Sequence, residues 1–235
     1  MDKKATIWLL LIVLGTLAVR LFFAFSTPAF TYDSYFHLRQ VESIRETGVP
    51  RFQGELSYGG RDLRFLPFFH YLAAFFTLFL PVELVGKILP NLLLALLPII
   101  VYFIGKSLTA SVAARLFAAA VSGFLPILFS PNAFTVTSLF IPLVALAVYA
   151  FLNIRHKTFL FLYFGAFLAL SITSSATFLL LVGFGIYLLL STLEHRKPSR
   201  AEIEIIIFSL FFFLWVQFLF FKSPLLEEGL RFIWQ

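Results

Sequence analysis

The residues of this chain able to do chemistry gather in one polar island, from about Pro28 to Arg64, which opens Tyr32-Asp33-Ser34-Tyr35-Phe36-His37-Leu38-Arg39. Ring nitrogens bind metal or donate to phosphate, and guanidinium forks match phosphate oxygens, so an imidazole and a guanidinium beside a carboxylate suit a phosphate or a cation. On a helix His37 shares the face of Asp33, four residues earlier, while Arg39 points away. A second basic cluster, Arg61-Asp62-Leu63-Arg64, stands ahead of a Phe-rich apolar stretch that carries His70. An imidazole in such surroundings needs a polar partner, most commonly a backbone carbonyl or a water.

Each of these residues also has a plainer reading. Asp33 can cap a helix that starts at Ser34 and ends near Gly48. Arg39 and Arg45 suit the solvated face of that helix, and Arg61 and Arg64 suit interfacial anchors with snorkelling stems. Arg20, near the end of the first apolar block, reads as another snorkelling residue. Gln217, Asn91 and Asn153 read as interhelical or capping hydrogen-bonders, and the phenylalanines of 208–221 as lipid-facing and packing surface.

The elements that must position the island are apolar. With 60% hydrophobic residues, 13% charged residues and a mean hydropathy of +0.96, the chain falls in the membrane class. Long apolar runs without two-residue alternation select helices over a barrel, giving an all-α integral membrane protein. The net charge of +6 does not point to nucleic acid, because the basic residues sit in short loops beside apolar blocks, where they report topology and contact with anionic lipid. The absence of cysteine excludes disulfides, thiolate catalysis and cysteine metal sites. Residues 7–25 are too long for a signal-peptide core and are read as a retained span.

Eight apolar blocks follow one another: 7–25, 65–80, 84–104, 112–129, 136–152, 159–170, 178–190 and 203–221. If all crossed, the basic loops Arg155-His156-Lys157 and His195-Arg196-Lys197-Pro198-Ser199-Arg200 would lie outside, against the positive-inside rule. Laying 65–80 in the outer interface as an amphipathic helix returns both loops, with Lys106 and Arg115, to the cytoplasm. The expectation is one domain over 1–235 with about seven spans. A first external loop covers 27–82, six further spans cover 83–221, the amino terminus is cytoplasmic, and the turns 130–135 and 171–177 are external. Glu227-Glu228-Gly229-Leu230-Arg231-Phe232 could begin a further external helix.

Tyr32-Asp33-Ser34-Tyr35-Phe36-His37-Leu38-Arg39-Gln40-Val41-Glu42 resembles the Asp-Pro-Tyr-Tyr-His-Leu-Arg stretch in the first external loop of oligosaccharyltransferase catalytic subunits. These belong to the GT-C superfamily of membrane glycosyltransferases that use polyprenyl-phosphate-linked sugars. Pro67-Phe68-Phe69-His70-Tyr71 is similar to the family's external amphipathic helix, and Asn132-Ala133-Phe134-Thr135-Val136-Thr137 falls where its second external loop would be. The resemblance implies a GT-C-type helical bundle and glycan transfer from a polyprenyl-phosphate-linked donor to an acceptor, protein asparagine in the family. It implies that Asp33, with His37, is catalytic and that Asp33 binds a divalent cation, Mn or Mg. It places Arg39, Arg61, Arg64 and His70 at the donor, His70 toward the metal or lipid phosphate.

Two departures stand out. The family carries an acidic pair in the second external loop where this chain has Thr135-Val136-Thr137. It also continues into further spans and a soluble carboxyl-terminal domain with a Trp-Trp-Asp signature, absent from these residues. The other readings are a GT-C transferase with a lipid or protein hydroxyl acceptor, or a non-catalytic subunit that binds lipid-linked glycan or joins a partner chain supplying the missing domain. A transporter is disfavoured by the lack of charges deep in the later spans and of internal repeats.

Overall fold

The computed structural model describes residues 3–54, 60, 62–125 and 130–228, the side chains of 223–228 excepted. Its order is α1 (Lys3–Ser26), α2 (Tyr32–Thr47), α3 (Phe68–Phe76), α4 (Val82–Ala95), α5 (Leu97–Leu108), α6 (Val112–Gly123), α7 (Thr137–Leu152), α8 (Lys157–Thr173), α9 (Thr177–Leu193) and α10 (Arg200–Glu228). Among the described residues the only β pairing is an isolated bridge between Gln53 and Asp62. The protein is all-helical.

Three segments are long and apolar enough to cross a membrane: Lys3–Ser26, Val82–Leu108 and Arg200–Lys222. The apolar helices α6 to α9 are shorter, at 12 to 17 residues. Large apolar side chains such as Ile7, Trp8, Phe22, Leu179, Phe211 and Trp215 face outward, uncovered. In water such a surface would aggregate; in lipid it is solvated. This is the exterior of a membrane protein.

The 65–80 block holds no helix of spanning length. Its helix, α3, has nine residues, about 14 Å at 1.5 Å per residue, against a hydrocarbon core of about 30 Å. It buries Phe69, His70, Ala73 and Ala74 and leaves Tyr71 and Phe75 exposed. The expected 84–104 span lies within the spanning-length segment Val82–Leu108, which consists of two helical pieces joined at Leu96 with Pro98 in the first turn of α5. A proline ring forbids the hydrogen bond to the preceding turn, which sets the break there. The 159–190 region forms two helices, with the connection at 174–176, inside the expected turn of 171–177 but shorter, since α8 runs on to Thr173.

Helix α2 carries the island. Thr31 is its N-cap position, so Asp33 lies inside the first turn rather than capping a helix at Ser34. There the carboxylate still meets the positive end of the helix dipole, and Arg45 meets the negative end. Gly48 closes the helix in the left-handed region (φ 80°), its N–H donating to the Ile44 carbonyl, 2.9 Å away. Helix α2 seats on α4 at Gly86, where a Cβ would fall 2.9 Å from Leu38 and 3.1 Å from Phe30. Only a glycine admits that approach without movement.

Arg20 does not snorkel. It is 1% exposed within α1, one turn after the buried Thr16.

Candidate functional site

The connection between α6 and α7 comes back to the island through a set of directional bonds. The buried Ser34 hydroxyl accepts from the Phe134 backbone N–H at 2.8 Å. The Asn132 carbonyl accepts from the Thr31 N–H at 3.2 Å, and the Asn132 amide donates to the Thr27 hydroxyl at 3.1 Å. From below, the Asn91 side chain on α4 donates to the Pro131 carbonyl and to its own helix at Lys87, both at 2.8 Å.

Lys87, 7% exposed, sends its ammonium to the Ala24 carbonyl at 2.5 Å and to that of Thr27, beneath the rings of Phe25 and Phe30. A cation at the carbonyl end of α1 meets the negative pole of that helix and its uncapped carbonyls. The end of α1, the start of α2 and the 130–136 segment are thereby fixed to one another.

This framework leaves two cavities on either side of Asp33 and Phe36. The first, about 390 Å³, is lined by Asp33, Phe36, His37, Thr135, Val136 and Thr137. The second, about 530 Å³, takes in Arg39, Arg51, Gln40 and Tyr35 along with the same Asp33 and Phe36. Its wall is held by the buried Gln40, whose side-chain oxygen accepts the Arg51 backbone N–H at 2.8 Å. The two faces differ in chemistry. The first offers a carboxylate, an imidazole and hydroxyls; the second offers guanidinium groups, amides and phenols.

His37 and Asp33 do share a helix face, as their spacing requires, and both reach the first cavity. Within the chain His70 meets the second imidazole of the site: its Nε2 lies 2.8 Å from Nδ1 of His37. The pair sits among Phe36, Phe65, Phe69 and Phe134. Removal from water penalises an imidazolium, and this burial brings His37 down to about 4 despite the opposing pull of Asp33. Burial, and then the neighbouring His37, bring His70 down to about 3, the Pro67 carbonyl acting the other way. Both rings are neutral at physiological pH.

Of the arginines expected at the donor, Arg39 lines the second cavity, Arg64 is exposed and lines neither, and Arg61 lies outside the described residues. Arg51 was not singled out by the sequence, since nothing in its spacing distinguishes it from other loop arginines. A divalent cation of the Mn or Mg kind takes about six ligands in octahedral array, largely oxygens. Among the described residues no three Asp, Glu, His or Cys side chains come together. Asp33 offers one carboxylate, and the segment facing it supplies hydroxyls. These residues do not complete a metal site on their own.

Fold and site thus define an all-helical membrane chain with a polar, two-sided cleft at one end. No family model matches it. It is 35% identical over 114 residues to dolichyl-phosphooligosaccharide-protein glycotransferase 2 of Archaeoglobus fulgidus, a stretch covering 44% of this chain and 19% of that protein. The chain therefore spans about a fifth of that relative's length. The similarity supports a distant relationship to oligosaccharyltransferases.

Proposed function

We propose that this chain is the membrane module of a GT-C-type glycosyltransferase, moving a glycan from a polyprenyl-phosphate-linked donor to an acceptor on the outer face of the membrane. The observation that carries the reading is the shared wall: Asp33 stands between a guanidinium-lined cavity and one lined by His37 and threonines. Transfer breaks the bond between the sugar's anomeric carbon and a phosphate oxygen, which leaves with the electron pair. The acceptor's N or O forms the new bond and gives up its proton. Guanidinium groups suit the phosphate that gains charge, and a carboxylate suits the N–H or O–H that must be oriented. The distant relative's name agrees with this chemistry.

In this reading α1, α4 with α5, and α6 through α10 make seven crossings, while α2 and α3 lie at the outer surface. The Ser107–Asn153 hydrogen bond (3.0 Å) joins the α5–α6 and α7–α8 turns at the opposite end. Lys106, Arg155, Lys157, Arg196 and Lys197 belong to connections at that end, which the positive-inside rule makes cytoplasmic. The partners are the lipid-linked glycan, a protein or lipid acceptor, and a further chain or domain completing the site.

The test is transfer from a labelled polyprenyl-linked donor by the purified chain, with and without manganese, beside Asp33→Ala. Transfer that the substitution lowers at least about a hundredfold, as removal of a key charged group does, supports the enzyme. Manganese dependence would add that the metal's missing ligands come from substrate. A second reading is favoured by the hydroxyls at Thr135 and Thr137, where a carboxylate would be needed: a donor-binding subunit without its own activity. Donor binding without transfer, unchanged in Asp33→Ala, would establish that reading and overturn the first.

A further inference from the structure

The His37–His70 pair carries more than its packing. His70 is wholly buried, so it cannot touch a substrate in this fold, yet its Nε2 holds Nδ1 of His37 at 2.8 Å. Neutral imidazole carries one proton on one nitrogen, and the bond made at one nitrogen dictates the state of the other. Two arrangements are open. In one, His70 Nε2–H donates to His37 and the His70 Nδ1 lone pair faces inward. In the other, His37 Nδ1–H donates and His70 carries its proton on Nδ1.

The surroundings of His70 decide between them. Its Nδ1 is buried without a hydrogen bond of good geometry. The neighbouring backbone oxygen is that of Pro67, which accepts the His70 backbone N–H at 3.0 Å and favours a proton on the His70 ring. A lone pair turned toward a carbonyl oxygen is repelled, whereas an N–H so placed is attracted, even off the best line. The proton of His70 therefore belongs on Nδ1, leaving Nε2 to accept from His37.

The consequence falls on His37. Its Nδ1–H is used inward on the buried His70, which turns the opposite nitrogen, Nε2, toward the cavity that His37 lines with Asp33. We propose that His70 is a positioning residue that fixes His37 in the Nδ1–H tautomer, so that the cavity presents two hydrogen-bond acceptors, the Asp33 carboxylate and His37 Nε2. Two adjacent acceptors select a ligand that brings two donors, such as a primary amide NH₂ or a pair of sugar hydroxyls, and disfavour a phosphate. Resting on the transferase reading above, the inference assigns this cavity to the proton-bearing acceptor, and leaves the phosphate to the Arg39 and Arg51 side.

The experiment reads the tautomer directly. The full chain, labelled with ¹⁵N in its histidine rings and held in lipid nanodiscs, is studied by NMR at neutral pH beside His70→Gln and His70→Phe. The glutamine keeps an acceptor oxygen where Nε2 stood; the phenylalanine keeps only the ring. The expected result is a proton on His37 Nδ1 and a bare Nε2 in the parent and in His70→Gln, with both tautomers present in His70→Phe. A proton on His37 Nε2 in the parent overturns the proposal, as does an unchanged His37 in a folded His70→Phe. If His70→Phe does not fold, the parent and His70→Gln spectra decide alone.

Transfer kinetics form a separate arm. The acceptor KM should rise about tenfold in His70→Phe and recover in His70→Gln, with the donor KM unmoved. A donor KM that rises instead contradicts the assignment of the cavity. Absence of transfer with the expected tautomer in place counts against the transferase reading and leaves the tautomer standing.

Discussion

The two halves of the molecule are held together by different means. At the end where α1, α2, α4 and the 130–136 segment meet, the joints are directional: Ser34 to Phe134, Asn132 to Thr27 and Thr31, Asn91 to Pro131, Lys87 to the end of α1, and His37 to His70. From α7 to α10 the joint is a cluster of rings and small residues. Phe151, Tyr163, Phe167 and Phe184 pack ring against ring, Tyr163 stacked on Phe167 and the others tilted, and Ala147, Ala150 and Ala166 are buried among them. Polar links supplement it, Tyr163 to Ser209, Ser175 and Ser171 to Gln217, Thr177 to the Leu170 carbonyl and Tyr187 to Glu202. Lipid gives no hydrophobic drive to helix association, so helices packed within it rely on close contact. A water-facing cleft cannot be fixed that way, because packing tolerates slippage that hydrogen bonds do not. Directional bonding marks the half that carries the two cavities.

The strongest way to break this contrast is at Gly86. Gly86→Leu places side-chain carbons where Leu38 and Phe30 already stand, and should lift α2 from α4, abolish donor binding and leave the α7–α10 cluster intact. Hydrogen exchange should then rise in α2 and α3 alone; a uniform rise along the chain would contradict the separation. Next in size is Ser34→Ala, which leaves the Phe134 N–H buried without its partner. The expected loss is about 1–3 kcal/mol, read as a lowered denaturation midpoint with faster exchange in 130–136. An unchanged midpoint would mean the two segments do not depend on this bond.

Acid should separate the halves as well. Both rings of the histidine pair are held below the ordinary value of 6.5, at about 4 and about 3. The unfolded chain therefore binds more protons than the folded one between those limits. Stability is full above about pH 6.5 and falls as pH drops toward 4 and then 3. His70→Phe should flatten that fall, measured by denaturation at several pH values. The smallest effect is expected from Tyr163→Phe, which removes the hydroxyl bonded to Ser209 at 2.8 Å. About 0.5–1.5 kcal/mol of stability should be lost, with donor binding unaltered.

The contrast also explains what the sequence could show. The apolar blocks are visible because lipid demands their composition, while the shortness of α3 was not, since its apolar run extends beyond the helix at both ends. The end of α2 at Gly48 was legible because a left-handed residue suits glycine. Its start was missed by two residues, since Asp33 is as favourable inside the first turn as at the cap. The break at Leu96 was hidden by an unbroken apolar run around Pro98. Asp33 and His37 share a face by helix geometry, which four-residue spacing reveals. The pairing of His37 with His70, 33 residues apart, depends on how α3 docks against α2, and no local pattern encodes that. Arg20 read as a surface anchor because nothing in α1 alone says which face is covered. Arg51 carried no signal until the chain folded back onto Gln40.

The central claim, that the polar-bonded end receives a lipid-linked phosphate, is tested most directly by photocrosslinking. A polyprenyl-phosphate glycan analogue with a diazirine beside the phosphate is irradiated with the purified chain in nanodiscs, and the adducts are mapped by mass spectrometry. The account predicts adducts on 32–40 and 51–54 that an excess of unmodified donor removes. Competed adducts confined to α8, α9 and α10 would contradict it.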